Sequence, residues 1–404
     1  MAKKKARQFP TYPTKIKIVA DHRGTCALCG PSSALLYPNL EDEAIDNVKV
    51  GMFAHIHSET RLGPRYDKSI PKKDLGRRHN FLYVCKEHHD LIDRNISKFP
   101  PDYLKKIRID HVQKMEETLR KNGTKNLNCA IVILEDTSFN PINRSTILSA
   151  LKPARIPVSS VDIFLSLPNK DEDIDWIKSV KQIKAKWKAY QEVFTGLKKS
   201  NDKDDQTVPI DEYYLFSITK IPFAIYFGVL IQETNTIRLH QWRRRQANDE
   251  QTWAWATETG TSGEDEITTS YSNMSGIDNQ TTVILKIEVS ASIDTASLGN
   301  LGLSLNSIYS IGVKSPNRHW LQRELQLMEF QKKYRALMEI INKKHPRASV
   351  HLFLAGPIPI AVFIGQIFNP RMDRPLIIYN WQRNSSDINY YKKIFELGNA
   401  LESS

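Results

Sequence analysis

Cys26-Ala-Leu-Cys29 and Cys85-Lys-Glu-His88 are two short knuckles with metal-ligand spacing. Zn²⁺ takes four thiolate or imidazole ligands at tetrahedral corners, and a CxxC turn delivers two from one backbone reversal, so two such turns make one closed structural site. The fourth cysteine, Cys129, lies in the apolar run Cys-Ala-Ile-Val-Ile-Leu that reads as a buried strand, and it has a packing role only. Between and beyond the knuckles stand Ala54-His55-Ile56, Asn80, the pair His88-His89, and Asp93. Metal-assisted hydrolysis needs a proton acceptor for the attacking water and a cation to neutralise charge that develops on the substrate and the departing oxygen. An imidazole titrates near neutrality and suits the first task. Asp93 follows His89 by four residues, so on a helix the two side chains share a face and could ligate one ion.

Positioning these groups requires a strand through Phe81–Val84 that enters the second knuckle, then a helix carrying His89 and Asp93. Leu104, Ile107, Met115 and Leu119 have helical spacing and predict a helix from Asp102 to Lys121, stopped at Asn122-Gly123, that links this module to the rest. The stretch between His55 and Asn80 is crowded with Arg61, Arg65, Lys68, Lys72, Lys73, Arg77 and Arg78. Phosphate contacts from such a loop fix a duplex without reading its sequence. The charge is distributed accordingly. Residues 1–125 carry 25 Lys+Arg against 15 Asp+Glu, the remainder 32 against 30, so most of the net +12 sits in the first third, as on a surface that meets a phosphate backbone.

The order of knuckle, AHI, the Asn of Asn80-Phe-Leu-Tyr-Val-Cys85 and CxxHHxxID resembles the HNH nuclease family over about residues 20–120. The resemblance implies His55 as general base, His89 as a ligand of a catalytic divalent ion such as Mg²⁺, and Asn80 as the residue holding the His55 loop. It implies a zinc-stabilised ββα-metal module. One position departs from the pattern: Ala54 stands where many relatives carry a metal ligand, which leaves Asp93 or His57 as the second protein ligand and water and substrate phosphate to complete the shell.

At this length two or three domains are expected. The composition, 40% hydrophobic and 25% charged, is that of a globular protein. The opening MAKKKARQFP has no apolar stretch behind it, and the longest apolar run, Ile221–Ile231, is too short to cross a bilayer, so a soluble cytoplasmic protein is expected.

The second part contains a repeat. Leu215-Phe216-x5-Pro222-x-Ala224-x3-Gly228 returns 137 residues later as Leu352-Phe353-x5-Pro359-x-Ala361-x3-Gly365. Upstream, Trp176, Ile183, Tyr190, Phe194 and Leu197 align with Trp320, Leu327, Tyr334, Met338 and Ile341 at an offset of 144, the polar KKSNDKDDQTVP accounting for the difference. Each copy is followed by a strand ending in Trp, at RLHQW (Trp242) and IIYNW (Trp381). The units, about 155–245 and 300–385, read as strand, long helix, strand, helix, strand. That predicts parallel sheets with right-handed crossovers, an α/β Rossmann-like arrangement after an α+β module, divided at 1–125 and 126–404. Ligands of such folds collect beyond the carboxyl ends of strands, here Thr219-Lys220 and Ala355-Gly356-Pro357, and two facing loops suit a ligand with two phosphates. Neither a GxGxxG fingerprint nor a Walker motif is present. Lys220 and Arg318 are candidates for phosphates, and Trp320 and Trp381 for base stacking, with Trp320 equally suited to the core. Arg243-Arg244-Arg245 reads first as a strand-end cap.

The duplicated unit, with His-Leu-Phe-Leu-Ala-Gly-Pro-Ile-Pro-Ile-Ala before its last strand, resembles the SAVED domain, a fusion of two CARF-like units, over about 150–404. An HNH module joined to SAVED is similar to effectors of bacterial CBASS anti-phage systems. The resemblance implies an activating cyclic oligonucleotide, a cyclic dinucleotide first, a homo-oligomer, a dimer that assembles further on activation, and largely non-specific cleavage of double-stranded DNA. The alternative is a restriction-type HNH enzyme whose C-terminal part reads modified DNA, against which stands the near-neutral charge of residues 126–404. A non-catalytic DNA-binding protein with purely structural knuckles is a second, against which stand His55, Asn80 and His89 together.

Overall fold

The computed structural model describes residues 10, 12–30, 51–121, 127–143, 146–152, 155–168, 173–194, 210–232, 236–244, 251–256, 266–273, 280–370, 372–383 and 389–398. The first elements are α1 (Tyr12–Asp21), β1 (Gly51–His55), α2 (Lys72–Leu75), β2 (Phe81–Cys85), α3 (Lys86–Arg94) and α4 (Pro101–Lys121). β1 and β2 pair antiparallel, with His55 opposite Phe81 and Gly51 opposite Cys85. The sequence of β2, Phe-Leu-Tyr-Val-Cys, is aromatic and aliphatic throughout because every residue of it is buried. It packs with Ile18, Val19, Ala54, Ile56, Ile92 and Leu104 into a small core of its own. Helix α4 begins one residue before the expected start; the expected stop at Asn122-Gly123 lies outside the described residues.

Next come β3 (Leu127–Asp136), β4 (Arg155–Leu165), α5 (Trp176–Phe194), β5 (Glu212–Ile218), α6 (Ile221–Leu230) and β6 (Thr236–His240). The strands form a parallel sheet in the order β4-β3-β5-β6. Cys129 lies in β3, buried among Ile131, Ile133 and Trp253, and has the packing role expected of it. The short strands β7 (Arg243–Arg244) and β8 (Gln251–Thr252) pair with each other. Arg243 donates to Gln322 at 3.1 Å and to the Ala254 carbonyl, so it ties two units together instead of capping a strand; Arg245 lies outside the described residues.

The last set is β9 (Ile267–Asn273), β10 (Thr282–Glu288), α7 (Thr295–Gly299), β11 (Ser307–Val313), α8 (Glu324–Lys344), β12 (Ser349–Ala355), α9 (Ile358–Ile367), β13 (Leu376–Arg383) and β14 (Asn389–Leu397). Their sheet runs β14-β13-β12-β10-β11-β9. The four central strands are parallel, but β9 and β14 run antiparallel at the edges, which corrects the all-parallel expectation. Together the chain is a mixed α/β fold.

The repeat is real in space. β5 and β12, and α6 and α9, begin and end at positions 137 apart. Each unit also holds a strand that the sequence repeat missed: β3 and β10 lie centrally, between β4 and β5 and between β11 and β12. α6 and α9 pack on each other where the conserved pattern of the two copies places Gly228 and Gly365. A Cβ on Gly228 would stand 2.1 Å from the Val362 carbonyl oxygen, and one on Gly365 1.9 Å from that of Ile225. Only glycine allows this approach, and it merges the two units into one continuous hydrophobic core. Trp176, Val180, Ile183, Trp187 and Tyr190 of α5 are buried in it, as are Leu327, Tyr334 and Ile341 of α8. Nothing is described for the Phe194 side chain or for Leu197. Trp320 precedes α8 instead of lying on it, and Trp242 lies two residues beyond β6, whereas Trp381 is within β13.

The first module rests on the start of the first sheet. Arg23 donates to Asn128 at 3.3 Å, and Gly24, with φ +63°, sits so close to Pro157 that a Cβ would be 2.6 Å from its carbonyl oxygen. Among the described residues no helix is long and apolar enough to cross a membrane.

Candidate functional site

Cys26, Cys29, Cys85 and His88 converge, with their ligand atoms all within 4.8 Å of one another. Nδ1 of His88 is 3.4 Å from the Sγ of Cys26, 3.3 Å from that of Cys29 and 3.2 Å from that of Cys85; Cys29 Sγ and Cys85 Sγ are 3.9 Å apart. A tetrahedral ion with S and N ligands at about 2.1–2.3 Å has edges of roughly 3.4–3.8 Å, so the donor set fits a four-coordinate metal. The backbone supports it: the amides of Cys29 and Cys85 both point at Cys26 Sγ, at 3.4 and 3.3 Å, and the Ala27 amide donates to the Tyr83 carbonyl, fastening the first knuckle to β2. Cys85 ends β2 with extended backbone angles and starts α3, so the second knuckle delivers His88 one turn into the helix.

His55 closes β1, its ring 4.5 Å from that of Phe81. His89 and Asp93 lie on α3 as expected, with His89 Nδ1 3.9 Å from Asp93 Oδ2. Asn80 does hold the loop after His55, by the backbone of His57: its Oδ1 accepts from the His57 amide at 2.8 Å, and its Nδ2 donates to the carbonyls of His57 and Leu75 at 2.9 and 2.8 Å. His57 itself is buried and faces Lys105, Asp67 and Asp102; burial first, then the Lys105 charge, lowers its pKa. Among the described residues neither it nor His55 joins His89 and Asp93 in a group of three close ligands.

Arg65 is the residue whose role the sequence did not disclose. Expected as a phosphate contact, it has a side chain only 2% exposed and a left-handed backbone, φ +58°. Its guanidinium donates to the carbonyls of Ile56 at 3.1 Å, Ile92 at 3.0 Å and His55 at 3.0 Å, and to Asp93 Oδ1 at 2.9 Å. One nitrogen thus bridges the strand that ends in His55 and the carboxylate on α3. One oxygen of Asp93 is thereby committed to the guanidinium and the other is left toward His89. No position in Arg-rich sequence distinguishes an inward arginine from an outward one, so only the structure separates Arg65 from its neighbours. Of those, Arg77 pairs with Asp74 and Arg78 with Asp21, while Arg61, Lys68, Lys72 and Lys73 are exposed.

At the carboxyl ends of the parallel strands, Thr219 and Lys220 are organised by Asp136, the last residue of β3. Asp136 Oδ2 accepts from Thr219 Oγ1 at 2.9 Å and from the Lys220 amide at 3.1 Å, and its Oδ1 from the Ser138 amide at 2.9 Å. The Lys220 ammonium lies 5.1 Å from the Phe139 ring centroid. In the second unit Glu288, the last residue of β10, accepts from the Ile293 amide at 2.7 Å. The amides of Val289 and Ser290 donate to the Ala355 carbonyl, just before Gly356 and the α9 N-cap Pro357. Sequence reading passed over both acidic residues; their signal is a carboxylate closing an otherwise apolar strand. Asn317 donates to the Val289 carbonyl at 3.0 Å, which brings the exposed Arg318 to this end of the sheet. Trp381 is 51% exposed and open to stacking. Trp320 is 6% exposed within the core, which removes it from the ligand candidates: its indole is already covered by the packing of the loop before α8.

Two α/β units fused through a glycine helix crossing, each with a loop at its strand ends, define a duplicated α/β architecture. The profile of the SAVED family, "SMODS-associated and fused to various effectors sensor domain", matches residues 190–397, from within α5 to the end of β14, and the chain belongs to that family. No curated protein matches it. Among solved structures, a similar one is the Acinetobacter baumannii Cap4 SAVED/CARF-domain containing receptor with the cyclic trinucleotide 2′3′3′-cAAA, 12% identical with TM-score 0.38 over 82% of this chain and 62% of that one. The same receptor with 3′3′3′-cAAA gives 14%, 0.39, 82% and 63%. This chain spans about three fifths of the length of those structures. They are too distant to equate individual residues.

Proposed function

We propose that this chain is an effector nuclease of CBASS-type anti-phage defence: a metal-dependent HNH endonuclease for double-stranded DNA, switched on by a cyclic oligonucleotide bound at its SAVED units. The observation that carries the catalytic half is the Arg65 bridge, because it ties the end of β1 at His55 to Asp93 on the helix that also carries His89 and His88. Cys26, Cys29, Cys85 and His88 would hold a structural Zn²⁺, which would add folding free energy to the module's small core. His89 and the free oxygen of Asp93 would hold Mg²⁺, which supplies charge neutralisation at the phosphate. His55 takes the proton of the attacking water, in the neutral form. Asn80 fixes the backbone beyond it, so the imidazole does not drift with the loop. Exposed Arg61, Lys68, Lys72 and Lys73 bind phosphates without base readout, which makes cleavage tolerant of sequence.

The sensor half rests on family membership and on the equivalent strand-end loops of the two units, Thr219-Lys220 and Gly356-Pro357, with Arg318 and Trp381 at the strand ends of the second. Two such loops suit a ligand with two phosphates, and bound ligand drives assembly of several copies that brings nuclease modules onto one duplex. The test is nicking of supercoiled plasmid by the full chain in Mg²⁺, with EDTA and His55→Ala controls, across a panel of cyclic di-AMP, cyclic di-GMP, cyclic GMP–AMP and cyclic tri-AMP. Cleavage lost in both controls supports the proposal; cleavage that survives His55→Ala rejects the assignment of the base.

A further inference from the structure

Leu62 is 100% exposed, the most exposed large apolar side chain among the described residues. It stands at the apex of a tight turn closed by the Gly63 amide on the Thr60 carbonyl at 2.8 Å and braced by Ser58, whose Oγ lies 3.3 Å from that of Thr60. Exposed Arg61 precedes it, exposed Lys68 follows on the same loop, and exposed Lys72 and Lys73 begin α2 just after it. A leucine held wholly in water is normally accommodated by letting the loop fold over it. Here the loop cannot: three residues on, Arg65 is buried and bolted by its guanidinium to the carbonyls of His55 and Ile56, to the carbonyl of Ile92 and to Asp93.

We propose that Leu62 is a wedge that inserts between base steps of duplex DNA, with the flanking cations on the phosphates, and that the Arg65 bolt sets the wedge at a fixed offset from His55. The inference rests on the reading of the first module as a DNA-cleaving unit. The occupant is a duplex because the apolar tip stands beside exposed Arg61 in a segment whose exposed charged side chains are otherwise lysines, Lys68, Lys72 and Lys73: an acidic or apolar protein surface would satisfy one of these features and not the other, whereas a groove offers stacked apolar faces between two rows of phosphates. Insertion unstacks one step and bends the duplex, which opens the backbone near the wedge to the residues on β1 and α3. A wedge needs no base-specific hydrogen bond, so it is compatible with cleavage that ignores sequence.

The test uses the full chain in Ca²⁺, with and without the same cyclic oligonucleotide panel, and short duplexes carrying 2-aminopurine, whose fluorescence rises on unstacking. Wild-type protein is expected to raise the fluorescence on binding. Leu62→Ala is expected to bind without the rise and to cleave duplex in Mg²⁺ roughly 10-fold more slowly, the factor given by losing most of one leucine's burial. Leu62→Phe should retain the rise, and Arg61→Ala should lower affinity in a salt-dependent way and leave it intact. Unchanged zinc content and thermal unfolding show that the variants fold. Equal fluorescence and equal duplex rates for Leu62→Ala and wild type overturn the wedge. A wild type that unstacks duplex and never cleaves it overturns the nuclease reading and leaves the wedge standing; a wild type that binds no duplex with any member of the panel overturns both.

Discussion

Replacing Arg65 by Met removes four hydrogen bonds at once and leaves the alkyl volume nearly intact. Three of the acceptors are backbone carbonyls, on the last residue of β1, the residue after it and α3, and the fourth is Asp93. Hydrogen bonds to a charged group are worth about 1.5–3 kcal/mol each, and removing one partner of a buried pair costs about 3–5 kcal/mol. Asp93 has a side chain 38% exposed and can rehydrate, so the ion pair contributes at the low end, and the orphaned carbonyls dominate. A loss of about 3–4 kcal/mol is expected for the first module, with the second core unaffected because its residues share none of these contacts. Single-turnover cleavage should fall about 100-fold, since a shift of about 1 Å between His55 and α3 is enough for that. Arg65→Lys keeps the charge, loses the planar fork, and should fall between. The assay is denaturant unfolding followed by hydrogen exchange of β1 and α3, beside single-turnover plasmid nicking. A loss below about 1 kcal/mol with an unchanged cleavage rate would refute the view that this side chain joins the two elements.

Cys29→Ser should reduce the bound zinc from one ion per chain and unfold the first module at moderate temperature, read by metal analysis and calorimetry; retained stoichiometric zinc would exclude Cys29 as a ligand. Gly365→Ala puts a methyl group against the Ile225 carbonyl and should destabilise the paired units by about 1–3 kcal/mol or more in denaturant unfolding; a neutral variant would mean that α6 and α9 separate readily. Burial, opposed by the bond to the Trp253 carbonyl, pushes His240 down to about 4 from 6.5. Between those values the unfolded chain binds a proton that the folded chain does not, so stability falls as pH drops below 6.5 and levels off near 4. The slope is about 1.4 kcal/mol per pH unit for this one group, and His240→Phe, which keeps the ring against Phe216 and Tyr214, should reduce the slope by that amount in unfolding titrations.

The knuckles and the α6/α9 repeat were legible because their constraints are local. A CxxC or CxxH turn carries its geometry in its spacing, and a helix crossing that admits no Cβ must repeat its glycine in both copies. β3 and β10 were missed as repeat members because a central strand buried on both faces is a plain apolar run, with no pattern for one copy to share with the other. Edge strands β9 and β14 carry polar residues such as Thr268, Ser270, Lys392 and Lys393, which disguise them as loop. At the candidate site, sequence order set His55, Asn80, His89 and Asp93 in one module, but direction was invisible: Arg65 turns inward, Trp320 sinks into the core, and His57 faces Lys105. These orientations depend on contacts made by residues distant in the chain, as Arg65 with Ile92 and Asp93.

The most direct measurement is the rate of plasmid nicking by the full chain as each cyclic oligonucleotide is titrated, at fixed Mg²⁺ and with oligomeric mass followed by light scattering. The account predicts a saturable rise in rate with one member of the panel, in step with an increase in mass, and a lower response for Lys220→Ala at the same concentration. A rate independent of every cyclic oligonucleotide would contradict control by the SAVED units, and would favour a nuclease whose second half reads DNA.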